Sequence, residues 1–274
     1  MRKEFIENLL LKHGKTGSVF KRNVIKEYLQ VLSLFFIYSK EEYQSLLFYG
    51  GSCLRHCFEL PRLSEDLDFI DLGKRVSLEN LAKDLEKFFK RELEVQVKTK
   101  IQRFRIYLKF PILRELKLAT RGDSDMLFIK IEVFKEFNFC SNSQIQVIPI
   151  FRFNRSILIR TFDLPILMAT KIAAILYRKW EKTDKKGKIL VKVKGRDYFD
   201  LMWYLRKGIK PDTRYIEGIK DNKELREKLV GIIENLDPLS IQLDLQPLVE
   251  DKIFVKDLSK KLKEILIREI SEKL

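Results

Sequence analysis

The sequence predicts an α/β (α+β) fold, with a sheet in its first part and a mainly helical C-terminal half. Two observations predict it. Residues 46–71 show the order strand, glycine turn, helix and strand, whereas the segments after residue 160 repeat their apolar residues at helical spacing. A faint shift in composition near residue 160 places the domain boundary there, which gives residues 1–160 and residues 161–274 as the two domains.

Length and composition describe a globular protein. The chain has 274 residues, of which 45% are hydrophobic and 34% are charged, so it can bury a sizeable core. It has no run of 18 apolar residues, and its N-terminus alternates charged with apolar residues, so we expect neither a membrane span nor a secretory signal. Three cysteines are too few for a disulfide framework, which favours a cytoplasmic location.

The net charge indicates an anionic partner. At pH 7 it is +15, and the isoelectric point is about 9.6. For a globular protein of this composition, nucleic acid is the leading candidate. The alternative is a lysine-rich surface that reflects only the composition of the host proteome.

Residues 1–45 predict two or three helices, because their apolar residues recur three and four positions apart. A short apolar strand, Leu46 to Tyr49, then ends at Gly50-Gly51-Ser52, and residues 53–58 have helical spacing. Glycines let the backbone approach a polyphosphate closely, N–H groups at a helix start attract anions, and a serine hydroxyl adds a donor. This turn therefore predicts a phosphate-binding site.

The strand that follows Pro61 carries two acidic residues. Residues 64–70 alternate acidic with apolar side chains, which places Asp66 and Asp68 on one face and Leu67 and Phe69 on the other. Two neighbouring carboxylates repel each other unless a cation lies between them, and oxygen ligands suit Mg²⁺. The alternative is an amphipathic strand with an acidic solvent face.

These residues together resemble a known family. The pattern GGS-x13-D-x-D-F, with Arg62 and Ser64 before the acid pair, resembles the first motif of the AbiEii-like nucleotidyltransferases. This branch of the DNA polymerase β superfamily serves as the toxin in type IV toxin–antitoxin and abortive-infection systems. The resemblance implies a polymerase β-like core with a mixed sheet, a nucleoside triphosphate such as ATP as substrate, Mg²⁺ or Mn²⁺ as cofactor, and a C-terminal domain that completes the active site.

The next segments predict a helix and three strands. An amphipathic helix covers residues 76–93, and strands are expected over Glu94–Thr99, Arg103–Phe110 and Leu127–Phe134. Polymerase β-like sites commonly take a third carboxylate from a strand beside the acid pair, and by this resemblance Glu132 is the candidate. The alternative is that Glu132 and Lys130 are a solvent-facing pair on a half-exposed strand.

A helix begins near Asp163 and contains Lys171, which resembles the lysine of the family's next motif, where it contacts the triphosphate. A basic segment, Arg178 to Arg196, follows. It has nine Lys or Arg residues and two acids. We expect a hairpin or loop here that contacts RNA phosphates; a solvated lysine-rich loop is the alternative.

The last motif is RDxxDL, which opens a helix. By resemblance Asp197 is functional, Asp200 supports it, and Arg196 either binds phosphate or pairs with the acidic strand. Both acids could instead be ordinary partners of the helix dipole. The remaining chain is mainly helical and ends in a packed helix over residues 252–274.

The resemblance therefore implies a metal-dependent transfer of a nucleoside monophosphate to an acceptor hydroxyl, at the 3′ end of tRNA, by a toxin with a cognate antitoxin. The implied catalytic residues are Asp66, Asp68, Lys171 and Asp197; the nucleotide-binding residues are Gly50, Gly51, Ser52, Arg62, Lys171 and Arg196; and the metal ligands are Asp66, Asp68 and Glu132. Two alternatives are a non-catalytic nucleotide- or RNA-binding module of the same fold and a metal-dependent nuclease.

Overall fold

The structure is a computed structural model, and it describes residues 3–120, 122–135, 145–178, 181–183, 189–191 and 193–274. The chain forms two compact units, Met1–Phe162 and Asp163–Leu274. The first unit is a mixed α/β structure and the second is mainly helical, which confirms the predicted fold class. None of the helices in the described ranges is both long and apolar enough to cross a membrane.

The first unit contains helices and strands in alternation. Its helices are α1 (Lys3–Leu11), α2 (Ser18–Tyr38), α3 (Gly50–Cys57) and α4 (Leu78–Leu93), and its strands are β1 (Leu47–Tyr49), β2 (Asp66–Ile70), β3 (Lys98–Gln102), β4 (Arg105–Pro111), β5 (Met126–Phe134), β6 (Ile145–Arg152) and β7 (Arg155–Phe162). The strand, glycine turn and helix predicted around residue 50 are β1 and α3, so this part of the sequence pattern is confirmed.

The strands form one sheet in the order β3-β4-β5-β2-β1-β7-β6. It is mixed, because β2 runs parallel to β5 and β1 parallel to β7, while the other neighbours are antiparallel. Helices α2 and α4 pack on one face of the sheet, where alternate strand residues such as Leu67, Ile131 and Leu108 are fully buried. The opposite face of the sheet carries the strand residues that alternate with these buried ones, such as Asp66 and Asp68 on β2.

One predicted strand is displaced. The sequence pattern places a strand over Glu94–Thr99, but β3 begins at Lys98. Glu94 ends α4 with a left-handed φ of 55°, and the N–H of Val97 donates to the carbonyl of Val95. These residues are used to reverse the chain direction after α4, and Arg103, with φ 55°, turns the chain between β3 and β4.

The second unit begins with α5 (Leu164–Tyr177), whose N-cap Asp163 accepts a hydrogen bond from the N–H of Ile166. Its other elements are β8 (Lys182–Thr183), β9 (Ile189–Val191), α6 (Gly195–Arg206), a 3-10 turn (Thr213–Tyr215), α7 (Asn222–Ile233), α8 (Pro238–Leu245) and α9 (Lys252–Lys273). Strands β8 and β9, which lie in the predicted basic segment, pair antiparallel; residues 184–188, where the turn of the predicted hairpin falls, lie outside the described residues.

Candidate active site

The glycine turn brings the backbone close to the acid pair. Gly50 has φ +78°, and a Cβ placed on it would lie 2.5 Å from Oδ2 of Asp68. A Cβ on Gly51 would lie 2.8 Å from a guanidinium nitrogen of Arg62. A methyl group at either position would force a charged side chain to move, so the two glycines allow the turn and these side chains to lie in close contact. The turn and the acidic strand form a single site.

Ser52 and Arg62 support this turn from within the protein. Both side chains are buried. The hydroxyl of Ser52 donates to the backbone carbonyl of Asp66, and Nη1 of Arg62 donates to the carbonyl of Leu63 at 2.9 Å. The Ser52 hydroxyl thus joins the turn to the start of β2, and direct contact of Ser52 and Arg62 with phosphate stays a prediction.

The acid pair lies as the sequence pattern predicts. Asp66 and Asp68 are partly exposed on the open face of β2, whereas Leu67 and Phe69 point into the core with no exposed surface. Side chains two apart on a strand share a face. The predicted alternation is confirmed, and the carboxylates are accessible to a ligand.

Glu132 lies beside the acid pair, as predicted. Strand β5 runs next to β2 with Asp68 opposite Glu132 and Asp66 opposite Lys130. The Lys130 ammonium lies 2.9 Å from Oδ2 of Asp66 and 3.0 Å from Oε1 of Glu132. On the other side, Nε of Arg105 lies 2.7 Å from the same Glu132 oxygen. Glu132 is therefore held by two cations.

Lys130 supplies the positive charge that the neighbouring carboxylates require. Burial lowers the pKa of Lys130, but attraction to Asp66 and Glu132 outweighs burial, so its pKa lies above the ordinary value. The ammonium stays charged between the two acids. A protein cation thus occupies part of the space where the sequence analysis places a metal ion.

The carboxylates of this site suit a hard cation that takes its remaining ligands from the substrate. Among the residues that the structure describes, no group of three or more His, Cys, Asp and Glu side chains is placed to hold a metal ion. Asp66 and Asp68 offer carboxylate oxygens on one open face, and Mg²⁺ is commonly bound by one or two carboxylates together with substrate phosphates. As a third ligand, Glu132 would have to exchange its contact with Lys130.

The predicted residues of the second unit form their own cluster. The Lys171 ammonium lies 2.8 Å from Oδ1 of Asp197 and 2.9 Å from Oδ2 of Asp200. Burial raises the pKa of Asp197, but Lys171, Arg178 and Lys194 outweigh it, so the pKa lies below its usual range. Both acids of the RDxxDL motif therefore fix the lysine rather than act as dipole partners alone.

Two further cations lie at this cluster. Nη1 of Arg178 is 3.5 Å from Oδ2 of Asp197, and its side chain is 45% exposed, compared with 12% for Lys171. Lys194 is half-buried, and burial together with repulsion from Arg178 lowers its pKa. Since Lys171 is already balanced by two carboxylates, Arg178 is the more accessible cation for an anionic ligand.

Arg196 pairs with an acidic residue of the second unit, Asp244. Its guanidinium binds Asp244 through Nε at 3.2 Å and Nη2 at 3.0 Å, and its backbone N–H donates to the same carboxylate. This two-point pairing joins α6 to α8 and uses the donors that a phosphate would need. Asp244 is distant in sequence, so no local pattern identifies it as a partner of Arg196; binding of phosphate by Arg196 or its pairing with the acidic strand stays a prediction.

His56 is a packed core residue. It is buried, its Nε2 lies 3.2 Å from Oε1 of Gln30, and burial together with repulsion from Arg152 and Arg55 lowers its pKa to about 3. It is therefore neutral at physiological pH.

Two residues of the site were missed by the sequence analysis. Lys130 was noted as sharing a face with Glu132, and only the register of β2 against β5 shows that it contacts Asp66. Arg105 joins the site through the register of β4 against β5. Register between strands distant in sequence is not encoded in a local pattern, so no local signal identifies Arg105.

Comparison with solved structures found similar chains, and two of them are from Helicobacter pylori. JHP933 matches with 15% identity, 91% coverage of this chain, 94% coverage of its own and a TM-score of 0.49. A second protein, provisionally named a nucleotidyltransferase, matches with 14% identity, coverage of 91% and 96% and a TM-score of 0.49. Similarity at this level carries no argument about individual residues.

Comparison with individual curated proteins gave no match. The family model for the nucleotidyl transferase AbiEii toxin of type IV toxin–antitoxin systems matches residues 36–270. The match includes the glycine turn, the acid pair, Glu132, Lys171 and the RDxxDL motif. The chain therefore belongs to the AbiEii nucleotidyltransferase toxin family.

Proposed function

We propose that this nucleotidyltransferase transfers a nucleoside monophosphate from a nucleoside triphosphate to the 3′-hydroxyl of an RNA acceptor, and that tRNA is this acceptor. The observation that carries the proposal is the approach of the Gly50-Gly51 turn to Asp68. A backbone that can approach phosphates lies directly against the carboxylates that suit a hard cation. The net charge of +15 supports an anionic acceptor.

Asp66 and Asp68 would hold Mg²⁺ or Mn²⁺, with Glu132 as the proposed third ligand once Lys130 releases it. When bound, such an ion neutralises charge on the triphosphate and on the attacking and leaving oxygens. The acceptor hydroxyl attacks the α-phosphorus in line, and pyrophosphate leaves.

The other residues would bind and orient the substrate. The Gly50-Gly51 backbone seats the phosphates, with Ser52 and Arg62 holding the turn in place. In the second unit, Lys171 and the more exposed Arg178 offer positive charge to the triphosphate, and Asp197 positions Lys171. The family also implies a cognate antitoxin, and we propose that the protein acts in the cytoplasm.

The test compares α-labelled with γ-labelled triphosphates. Wild-type protein, total RNA and Mg²⁺ are incubated with each nucleotide, beside an Asp66→Asn, Asp68→Asn variant and a sample with chelator. The proposal predicts that the α-label enters RNA, that the γ-label does not, and that the variant and chelator abolish transfer. RNA that is bound but unlabelled would indicate a binding module, and RNA shortened without triphosphate would indicate a nuclease.

A further inference from the structure

The open face of the sheet continues outward from the acid pair to the edge of β3. By register, Asp66 on β2 lies opposite Lys130 on β5, which lies opposite Tyr107 on β4, which lies opposite Lys100 on β3. Paired residues on neighbouring strands share a face of the sheet. A continuous row of side chains therefore leads from a candidate catalytic carboxylate to the sheet edge, over roughly 14 Å at the usual strand spacing.

A second row lies one step further along the strands. Lys98 on β3 lies opposite Lys109 on β4, which lies opposite Phe128 on β5. Phe128 is 42% exposed although it is a large apolar residue, and Lys98 is exposed as well. We call Lys98, Lys100, Lys109, Tyr107 and Phe128 the lysine–aromatic face.

The charge of this face is available to a ligand. Within the described part of the chain, Lys98, Lys100 and Lys109 form no ion pair, whereas Lys130 and Arg105 are paired with the acids of the site. These lysines lie beside two aromatic side chains on the same face, the exposed Phe128 and the partly exposed Tyr107, so positive charge and ring surface are both open to a ligand.

The rest of the same sheet face is different in character. On β6 and β7, the corresponding positions are mostly apolar and exposed, with Val147, Phe151 and Leu158 at 55%, 72% and 65% exposure. The combination of lysines with aromatic rings is thus confined to the β3–β5 side, where it is continuous with Asp66 and Glu132.

We propose that the lysine–aromatic face binds the single-stranded end of the RNA acceptor and leads it to the acid pair. Aromatic rings stack on bases of any sequence, and lysines follow the phosphates. A duplex hides its bases from such rings, whereas an unpaired end presents them. This inference rests on the proposed function, because it assumes that RNA is the acceptor.

The first test measures RNA binding without chemistry. A fluorescent five-nucleotide RNA and a blunt duplex of the same sequence are titrated with full-length protein in chelator, without triphosphate, by fluorescence anisotropy. We expect single strand to bind more tightly than duplex. We expect Tyr107→Ala with Phe128→Ala to raise Kd for the single strand about tenfold or more, and Tyr107→Phe to leave it unchanged, since the ring is kept. Phe151→Ala is the matched control, because it removes an exposed ring from β6.

The second test uses salt dependence. Each lysine that neutralises a phosphate contributes about 0.7 to the slope of log K against log salt for single strands. Lys98→Ala with Lys100→Ala should therefore reduce the slope by about 1.4. Lys83→Ala with Lys90→Ala removes the same charge from exposed positions of α4, which packs on the opposite face, and should leave the slope unchanged.

A photo-crosslinking measurement keeps the inference testable if a variant fails to fold. RNA carrying a photoreactive base two or three nucleotides before its 3′ end, so that the probe lies on the lysine–aromatic face while the 3′-hydroxyl lies at the acid pair, should crosslink wild-type protein on strands β3, β4 or β5. Crosslinks confined to other segments, equal Kd values in the variants, or no binding of single strand would each overturn the inference. If wild-type protein still transfers nucleotide to RNA but any of these three outcomes is found, only the assignment of the lysine–aromatic face as the RNA-binding surface is wrong. If the label enters protein instead of RNA, the proposed acceptor is wrong.

Discussion

Gly50 illustrates how a single absent side chain shapes the site. Its φ of +78° lies in the left-handed region, and the space for a Cβ is taken by the Asp68 carboxylate. The sequence pattern predicted a glycine turn near the acid pair, because glycine is the residue that allows close backbone approach. It could not predict that the neighbour of Gly50 is Asp68, since that contact depends on the pairing of β1 with β2.

The first prediction concerns Gly50→Ala. Both backbone strain and overlap with Asp68 act on this variant, so we expect a loss of about 2 kcal/mol or more in the free energy of unfolding and loss of nucleotide transfer. Chemical denaturation measures the stability. Gly208→Ala is the control, because Gly208 has φ +70° but no neighbouring atom within 4 Å of the place where its methyl group would lie. An equal loss of stability in both variants would show that backbone strain alone causes the effect and that overlap with Asp68 does not contribute.

The second prediction concerns Lys130. Lys130→Ala leaves Asp66 and Glu132 without their shared cation, so in chelator we expect the variant to be less stable by about 1 kcal/mol or more. Added Mg²⁺ should then raise Tm more in the variant than in wild type, because the ion no longer competes with the ammonium. Lys109→Ala, from the same sheet face but without an ion pair in the described part of the chain, is the control. An equal Mg²⁺ response in all three proteins would contradict competition at Asp66.

The third prediction is a pH dependence caused by His56. Its pKa is about 3 in the folded protein and about 6.5 when unfolded, so the unfolded state gains a proton first as pH falls. The neutral buried form contributes its full stability above about pH 6.5, and this is lost progressively towards pH 3. His56→Gln should therefore reduce the slope of unfolding free energy against pH in this window by up to about 1.4 kcal/mol per unit. An unchanged slope would show that other groups cause the acid sensitivity.

At the scale of elements, the register of β2 against β5 creates the acidic site. The alternating patterns predicted the faces of both strands, since period 2 fixes which side chains are buried. Register between strands distant in sequence depends on the whole sheet, and it decides that Lys130 meets Asp66 and that Arg105 meets Glu132. The sequence pattern therefore predicted the acidic residues of the site but not the two cations, Lys130 and Arg105, that contact them.

Helix α6 provides the fourth prediction. Arg196 joins α6 to α8 through Asp244, with side chains 20% and 6% exposed, so breaking this partly buried pair should cost about 2 kcal/mol. We expect Arg196→Ala and Asp244→Ala to lower stability similarly, the double variant to lose less than the sum, and KM for the triphosphate to stay near the wild-type value. A rise in KM with unchanged stability would instead show that Arg196 binds the phosphates of the triphosphate.

For the whole molecule, the sequence alone was enough to predict the fold class. It also predicted that the large sheet lies in the first unit and that the second unit is mainly helical. These predictions follow from local periodicity, which a single sequence contains. The pairing of Arg196 with Asp244 and the hydrogen bond from Ser52 to Asp66 were not predictable, because each depends on a partner brought near by folding. The family motifs identify the candidate site residues, and the structure shows which of their side chains are exposed.

The central claim is that the protein adds a nucleotide to RNA by means of Asp66 and Asp68. The most direct measurement is the intact mass of a purified tRNA before and after incubation with protein, Mg²⁺ and one triphosphate, followed by mapping of the 3′-terminal fragment. We expect a gain of whole nucleoside monophosphate units at the 3′ end, and no gain with the Asp66→Asn, Asp68→Asn variant. An unchanged or reduced tRNA mass with each of the four triphosphates would contradict it.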